Sequence, residues 1–384
     1  MNQKQATAEK ELTTKCPVLY VAFELGNSTW KMACSDGRKV RHVTVTARDL
    51  DQVERALLRA QNHFALAEGC STVSCYEAGR DGFWLHRYLQ GRGIDNVVVD
   101  SASLEVDRRL RRAKTDRIDA GKLLRMLIRY HGGEKQLWRV VRVPSREDED
   151  ARHLHRELES LKRERTRHRN RIHGILMQQG LCLTNPSKKR FLKDLEALCT
   201  WDGRKLPTGL KARLVRVYQQ LRLVEDQIST LAKEKQEQLK QLDNVKMRQV
   251  AQLLRLPGIG PVSSWAFVME FFGWRRFRNR REVAALAGLT PTPYDSGRKL
   301  REQGISKAGN RRIRTLAIEI AWAWLRYQPQ SKLSHWFLER FAGGGTRMRR
   351  IGIVAVARRL LIDLWRFLEY GMVPEGAQVR PLAI

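Results

Sequence analysis

Val18–Leu25 (VLYVAFEL) is an apolar, β-rich run. Two more follow it directly, Thr29–Asp36 (TWKMACSD) and Val40–Ala47 (VRHVTVTA), each with partial period-two alternation. Short Gly, Asn, Asp or Ser punctuation separates the three, which predicts a three-stranded meander. Asp49 then caps a predicted helix running through Ala67. Ser71–Ala78 (STVSCYEA) reads as a fourth strand, Gly82–Gln90 as a second helix and Asn96–Ser103 (NVVVDSAS) as a fifth strand. A basic helix is predicted from about Thr115 to Tyr130.

The order βββαβαβα is that of a ribonuclease-H-like fold, a mixed sheet with helices packed on it, predicted here for residues 18–145 behind a disordered polar tail, 1–17. Residues 146–245 differ. Leu154, Leu158, Leu161, Ile172 and Ile175 fall at heptad spacing, interrupted by Arg165 and His168; Leu214, Val217, Leu221, Val224, Ile228, Leu231 and Leu242 repeat every three or four residues. With Glu, Lys, Arg and Gln flanks, that spacing predicts a long helical hairpin or coiled coil, helical from Glu147 to about Gln179 in its first arm. The turn-rich stretch between the arms caps it. From about Lys246 to 370 the chain reads as mainly helical and basic, with loops at Leu256–Pro261 (LPGIGP), Gly288–Gly297 (GLTPTPYDSG) and Phe341–Thr346 (FAGGGT), and a tail over 371–384.

The chain has 384 residues, enough for about two or three domains of roughly 150 residues each. Lys and Arg number 72 against 41 Asp and Glu, so the net charge is +31. Self-repulsion of that size destabilises the compact state unless a polyanion or bound counter-ions offset it, which argues for a nucleic-acid partner and against a free-standing enzyme of small acidic metabolites. The first fifteen residues lack the apolar stretch of a signal peptide. No segment approaches about 18 uncharged apolar residues, since the best candidate, Val262–Trp274, carries Glu270 in its middle. Six cysteines form no CxxC pair and no Cys/His metal spacing, which fits a reducing cytoplasm. There is no GxxxxGK[ST] phosphate loop.

On this fold the acids fall in an informative pattern. Glu24 lies near the end of the first strand and Glu77 at the end of the fourth, while Asp116 and Asp119 in KTDRIDA stand three apart at the start of a helix, on one face. Hard oxygen ligands gathered this way can hold one or two Mg²⁺ ions that clamp the attacking and leaving oxygens of a phosphodiester. Taken singly, a strand-end Glu is often merely solvated and an acidic pair in a first helical turn often serves the dipole. Four such acids in a chain this basic favour the metal reading. The run RRLRRAKTDR supplies Arg108, Arg109, Arg111, Arg112, Lys114 and Arg117, which would hold a phosphate backbone beside the metal.

In the last third, Gly258 and Gly260 of LPGIGP resemble the turn of a helix-hairpin-helix, where backbone N–H groups approach a DNA phosphate; a plain Gly/Pro turn between helices is the equal alternative. Between Arg275 and Arg314 there are twelve Lys/Arg and three Asp/Glu. Within that stretch Ser296 precedes a glycine in a loop with Arg298, Lys299, Arg301 and Lys307, cations able to stabilise phosphate charge, followed by Asn310, Arg311 and Arg312. A serine hydroxyl needs a base, cation or metal to become a nucleophile, so on chemistry alone Ser296 reads as a turn residue.

The combination of VAFELGNSTWKMA, YEAGRDG and RRAKTDRIDAGKL with LPGIGPVSSWAFVME, AALAGLTP and SGRKLREQGISKAGN resembles the DEDD insertion-sequence transposases, insertion-sequence family one-ten and within it the eleven-eleven subgroup, over about Tyr20 to Glu369. The resemblance implies a RuvC-like N-terminal domain, a coiled-coil arm and a C-terminal transposase domain. It implies a recombinase that pairs a non-coding bridge RNA with double-stranded donor and target DNA, and that works as a homo-oligomer, a dimer or a tetramer of two dimers, in the bacterial cytoplasm with no membrane involved. The family's four acids fall on Glu24, Glu77, Asp116 and Asp119, with Mg²⁺ as cofactor, and its nucleophilic serine falls on Ser296, reversing the reading from chemistry alone. The implied intermediate is a 5′-phosphoserine link. One departure stands out: the family's first acid is commonly Asp, whereas Glu24 carries an extra methylene, and Asp100 after the fifth strand is a spare acid or a turn cap. A junction-resolving nuclease using activated water, and a catalytically dead nucleic-acid-binding protein, are the competing readings.

Overall fold

The computed structural model describes residues 17–104, 116–181, 185–188, 190–296 and 299–381, with backbone alone at 116–118, 293–296 and 299–303. The polar stretch 1–16 lies outside them. The chain divides into two compact units with the boundary between Val143 and Pro144.

The first unit is built in the order β1 (Val18–Leu25), β2 (Thr29–Ser35), β3 (Val40–Thr46), α1 (Leu50–His63), β4 (Ser71–Glu77), α2 (Trp84–Gly91), β5 (Asp95–Val99) and α3 (Asp116–His131). The five strands form one sheet in the order β3-β2-β1-β4-β5. β1 pairs antiparallel with β2 and parallel with β4. It is the central strand, and alternation along it sends side chains to two different cores. Leu19, Val21 and Phe23 pack with Trp30 and Met32 against Val53, Ala56 and Ala60 of α1 and Leu85 and Leu89 of α2. On the opposite face Ala22, Ala33, Val73 and Cys75 pack against Ala120, Leu123, Leu124 and Leu127 of α3. The small residues at 22, 33 and 75 let α3 lie close to the sheet. This is a mixed α/β architecture with helices on both faces, consistent with a RuvC-like DEDD domain.

Two elements are shorter than expected, for local reasons. The Asp49 carboxylate caps α1 as predicted, accepting from the Gln52 N–H at 2.9 Å. The helix ends at His63 rather than Ala67, however, because Ala65 adopts a left-handed φ of 50° and the Leu66 N–H turns back to the Gln61 carbonyl at 3.0 Å. β5 ends at Val99: the Asp100 carboxylate accepts from the Ala102 N–H at 3.1 Å and turns Ser101–Ser103 into a 3₁₀ segment. Asp100 is therefore a turn cap.

The second unit opens with α4 (Arg146–Asp150), whose N-terminus is closed by a reciprocal Ser145–Asp148 capping box. The chain is non-helical at Ala151–Arg152, so the first predicted arm is two helices, the second being α5 (His153–Met177). After α6 (Phe191–Ala197) comes α7 (Thr208–Lys240). Ile172, Ile175 and Leu176 at the end of α5 pack on Leu214, Val217, Tyr218 and Leu221 at the start of α7, so the two form an antiparallel hairpin. α7 stops before Leu242, the last residue of the predicted seam. The remaining elements are α8 (Val245–Leu254), α9 (Pro261–Phe267) with a π-helical continuation (Val268–Phe272), α10 (Arg280–Leu286), α11 (Arg311–Tyr327), α12 (Lys332–Phe337) with another π-helical turn (Leu338–Ala342), and α13 (Thr346–Tyr370). They enclose one aromatic-rich core around Trp265, Phe271, Trp324 and Leu364.

This part is less purely helical than expected. GLTPTPYDSG is not a loop throughout: Pro291–Ser296 forms β6, which pairs antiparallel with β7 (Lys299–Ile305). Pro291 and Pro293 are tolerated because a two-stranded ribbon leaves each strand an outer edge where no N–H is needed, and the register shifts between them. The final segment doubles back on the unit, the Arg380 N–H donating to the Arg255 carbonyl at 2.8 Å and the Gln378 N–H to Gln328 Oε1 at 2.9 Å. Among the described residues no helix is long and apolar enough to cross a membrane.

Candidate active site

In the first unit the acids follow from strand parity. Glu24 shares the face of Tyr20 and Ala22, and Glu77 the face of Val73 and Cys75, so both belong to the side of the sheet that α3 covers. β1 and β4 are parallel with Phe23 opposite Tyr76, so Glu24 and Glu77 are the next residues along, at the carboxyl ends of adjacent strands whose backbones in a sheet run about 4.8 Å apart. α3 runs back along them. Its last residue, His131, bonds through Nδ1 to the Tyr20 hydroxyl at 3.0 Å, while Gly121 lies against His42, which pairs in register with Ala33. The start of α3 is thereby at the glutamate end of the sheet. Asp119 is half-buried there, and Asp116 precedes Ala120 by one helical turn, its side chain outside the description.

Glu24 pairs with Lys31 across β1 and β2, and the Lys31 ammonium donates to the Thr44 hydroxyl at 2.9 Å. Glu24 and Glu77 both have electrostatic or hydrogen-bonding partners of their own. Carboxylates brought together at neighbouring strand ends repel one another, and a divalent ion or a basic neighbour offsets that cost. Among the described residues no three Asp, Glu, His or Cys stand close enough together to hold an ion. What fits a metal is the donor chemistry and its placement: hard oxygens on neighbouring strand ends, and a helix start carrying two more. Arg108, Arg109, Arg111, Arg112 and Lys114 lie outside the described residues, as does the side chain of Arg117.

In the second unit Ser296 is the last residue of β6 and pairs with Lys299, the first of β7. It therefore stands at the tip of a two-residue hairpin connection instead of in an open loop. Gly297 and Arg298 of that connection lie outside the described residues, as do the side chains of Ser296 and Lys299. Beyond the hairpin the chain is firmly held. Lys307 is exposed at a left-handed φ of 55°, Asn310 caps α11 by accepting from the Ile313 N–H at 3.2 Å, and Arg314 donates to the Ala287 and Lys307 carbonyls. Arg311 is exposed.

Arg312 turns to acids. It pairs with Glu159 of α5 and lies 3.7 Å from Glu270. Glu270, in the π-helical turn, is 3% exposed, and its carboxylate receives a bidentate fork from Arg156 (2.6 and 2.7 Å) and a bond with His155 Nε2 at 2.9 Å. Burial pushes the Glu270 carboxyl up, but the Arg156 and His155 hydrogen bonds overcome it and hold it down to about 2. This network ties the hairpin arm to the start of α11. Its one sequence signal was a lone acid in an apolar run.

The two glycines of LPGIGP differ. Gly258 has φ +98° and a Cβ there would lie 3.3 Å from the Ala323 carbonyl oxygen, so this glycine is required by the backbone turn and by packing on α11. Gly260 has an extended φ of −94° with open space around it and leads into Pro261 at the first position of α9. Gly258→Ala is expected to cost about 1–3 kcal/mol, and Gly260→Ala less than about 0.5 kcal/mol, measured by chemical denaturation.

Comparison with known proteins bears on both units. Residues 26–180 match a transposase family model of the DEDD type associated with IS110, and residues 250–335 match the model described as Transposase IS116/IS110/IS902 family. The chain is 40% identical over 375 residues to y4rJ of Sinorhizobium fredii, a protein named as a transposase, covering 94% of each chain. It is 26% identical to the transposase for insertion sequence element IS1111A of Coxiella burnetii, covering 79% of each. A further relative, the IS1328 transposase of Yersinia enterocolitica, is 29% identical over 50% of this chain and 56% of its own. Such a family implies an enzyme that cuts and rejoins DNA, and a DEDD domain implies use of a divalent metal. With its acids at the strand ends of a mixed sheet and a second matched region around the β6–β7 hairpin, this chain belongs to the IS110/IS116/IS902 family of transposases.

Proposed function

We propose that this transposase is a serine recombinase guided by a bridge RNA, in which Ser296 is the nucleophile and Glu24, Glu77, Asp116 and Asp119 hold Mg²⁺. The observation that carries the reading is the position of Glu24 and Glu77 at the carboxyl ends of adjacent parallel strands, one residue beyond the Phe23–Tyr76 pair, at the end of the sheet where α3 begins. Bound there, Mg²⁺ would supply positive charge to the scissile phosphate and its leaving oxygen.

The chain's own groups do the rest. The Ser296 hydroxyl gives up its proton to a base, its oxygen bonds to phosphorus, and the bond from phosphorus to the 3′ oxygen breaks. The 3′ oxygen takes up a proton, leaving a 5′-phosphoserine and a free 3′ hydroxyl. Attack by the 3′ hydroxyl of the exchanged strand reverses these steps and returns the serine. Arg298, Lys299, Arg301 and Lys307 stabilise the phosphate charge, and the Gly260 backbone and Arg311 hold the duplex by its phosphates. Donor and target double strands are chosen by base pairing with the RNA, and the work is shared within a homo-oligomer. The serine assignment is supported by the family resemblance and by the place of residue 296 at the end of β6, where its backbone pairs with that of Lys299.

The test is chemical. Wild-type protein, with the element's own non-coding RNA and Mg²⁺, is reacted with end-labelled element DNA, digested, and the nucleotide-bearing peptide is sequenced by mass spectrometry. A 5′-linked nucleotide on Ser296 is expected; an adduct on another residue, or cleavage with no adduct, overturns the assignment.

A further inference from the structure

In the second unit, α10, α12 with its π-helical turn, α13 and the returning C-terminal segment line a cleft of about 1120 Å³ that includes no residue of the β6–β7 hairpin. That exceeds the roughly 300–1,000 Å³ of ordinary small-molecule sites. Its lining carries seven Arg or Lys and two acids. Both acids are already matched, Asp363 by Arg366 at 3.6 Å and Glu375 by Lys332 at 2.7 Å. Arg280, Arg281, Arg340 and Arg358 have no ion pair among the described residues. Desolvation first, then the nearby Arg340 and Arg358, lower the proton affinity of Arg359, and Asp363 opposes them.

The cleft also carries apolar surface that a small anion would not need. The Arg359 guanidinium lies over the Trp336 ring at 3.7 Å from its centroid, and the rim holds Met372 and Val373, 58% and 48% exposed. Guanidiniums interleaved with an aromatic and exposed aliphatics match a strand that offers phosphates on one side and free base faces on the other. A duplex offers the phosphates, but its bases are already stacked on each other.

We propose that this cleft binds a single-stranded stretch of nucleic acid, its phosphates held by Arg280, Arg340, Arg358 and Arg359 and its bases lying on Trp336, Met372 and Val373. The site is separate from the residues assigned to phosphoryl transfer and does not rest on Ser296 being the nucleophile.

The test uses the full chain and fluorescent oligonucleotides of one sequence as single-stranded RNA, single-stranded DNA and duplex DNA, with anisotropy read over a salt series. Because a chain of +31 binds any polyanion, the cleft variant R340E/R358E is compared with R38E/K39E, an equal charge change on the β2–β3 turn. The cleft variant is expected to bind single strands about ten-fold more weakly than the control variant does. Its salt slope should fall by about 1.4, two phosphate contacts at roughly 0.7 each. Trp336→Leu should weaken single strands and leave duplex affinity unchanged. Photo-crosslinking of a thio-substituted strand to the wild-type protein should map to residues 332–340 and 358–375, and needs no variant to fold. S296A should retain all of this. RNA and DNA strands responding alike identify the strand itself as the ligand, and a larger effect on RNA identifies the guide as its source. Equal losses in the cleft and control variants, equal losses for duplex and single strand, or crosslinks confined to other segments overturn the proposal.

Discussion

Ser296→Ala protein is expected to form no covalent link to DNA and to lose transposition by at least about a thousand-fold. The loss should be that large because the hydroxyl is both the atom that attacks and the atom that later leaves, so no neighbouring group can stand in for it. The substitution is gentle on the fold, since Ser296 meets Lys299 through the backbone ladder, and an unchanged thermal melt should accompany the inactivity. Glu77→Gln supplies the contrast. It keeps a side chain of the same size at the end of β4 but removes the charge, so cleavage and adduct should vanish together if the acids hold the ion. An S296A protein that still nicks DNA at the wild-type rate beside a dead E77Q protein would sink the serine and leave a nuclease that works through activated water. Recombination in cells undiminished by E77Q would instead leave a chain whose acids are structural.

The first unit was legible in the sequence because its strands alternate and its glutamates sit at strand ends, where parity alone sets the face. Glu24 and Glu77 fall on the α3 side for the same reason that Ala22 and Cys75 do. The misread points were those where one residue's local hydrogen bonds overrode a pattern. Asp100 ended a strand that Asn96–Ser103 seemed to continue, and Ala65 ended a helix by taking a conformation that Gly usually supplies. The β6–β7 ribbon was missed because proline argues against a strand, and only the free edges of a two-stranded ribbon relax that rule. The arginine cleft draws on positions 280, 336, 340 and 358, which no spacing connects. Arg312 read as a phosphate contact from its basic neighbours, but Glu159 and Glu270, which engage it, come from distant helices.

Glu270→Ala is expected to destabilise the second unit by about 3–5 kcal/mol, because it strands cationic partners around an empty buried site. The loss should lie toward the lower figure. The Arg156 side chain is 45% exposed and can swing into water, whereas His155 is 5% exposed and cannot. Glu270→Leu combined with Arg156→Leu should recover about half of the cost, since removing both charges spares the desolvation that removing one leaves behind. The pH dependence has a definite sign. An unfolded glutamate titrates near ~4.3, while the folded carboxyl is held at about 2. The contribution of Glu270 is therefore complete above the unfolded value and fades as pH falls through the folded one. Wild-type stability should drop toward that of Glu270→Gln between about pH 4.5 and 2, and the gap between them should be flat from there to neutrality. Urea denaturation with hydrogen exchange at α5 and α9 reads both effects from the second unit alone. A cost below about 1 kcal/mol, or a gap that stays constant down to the acid limit, would mean that this buried acid is carried by packing and that the arginine fork contributes little.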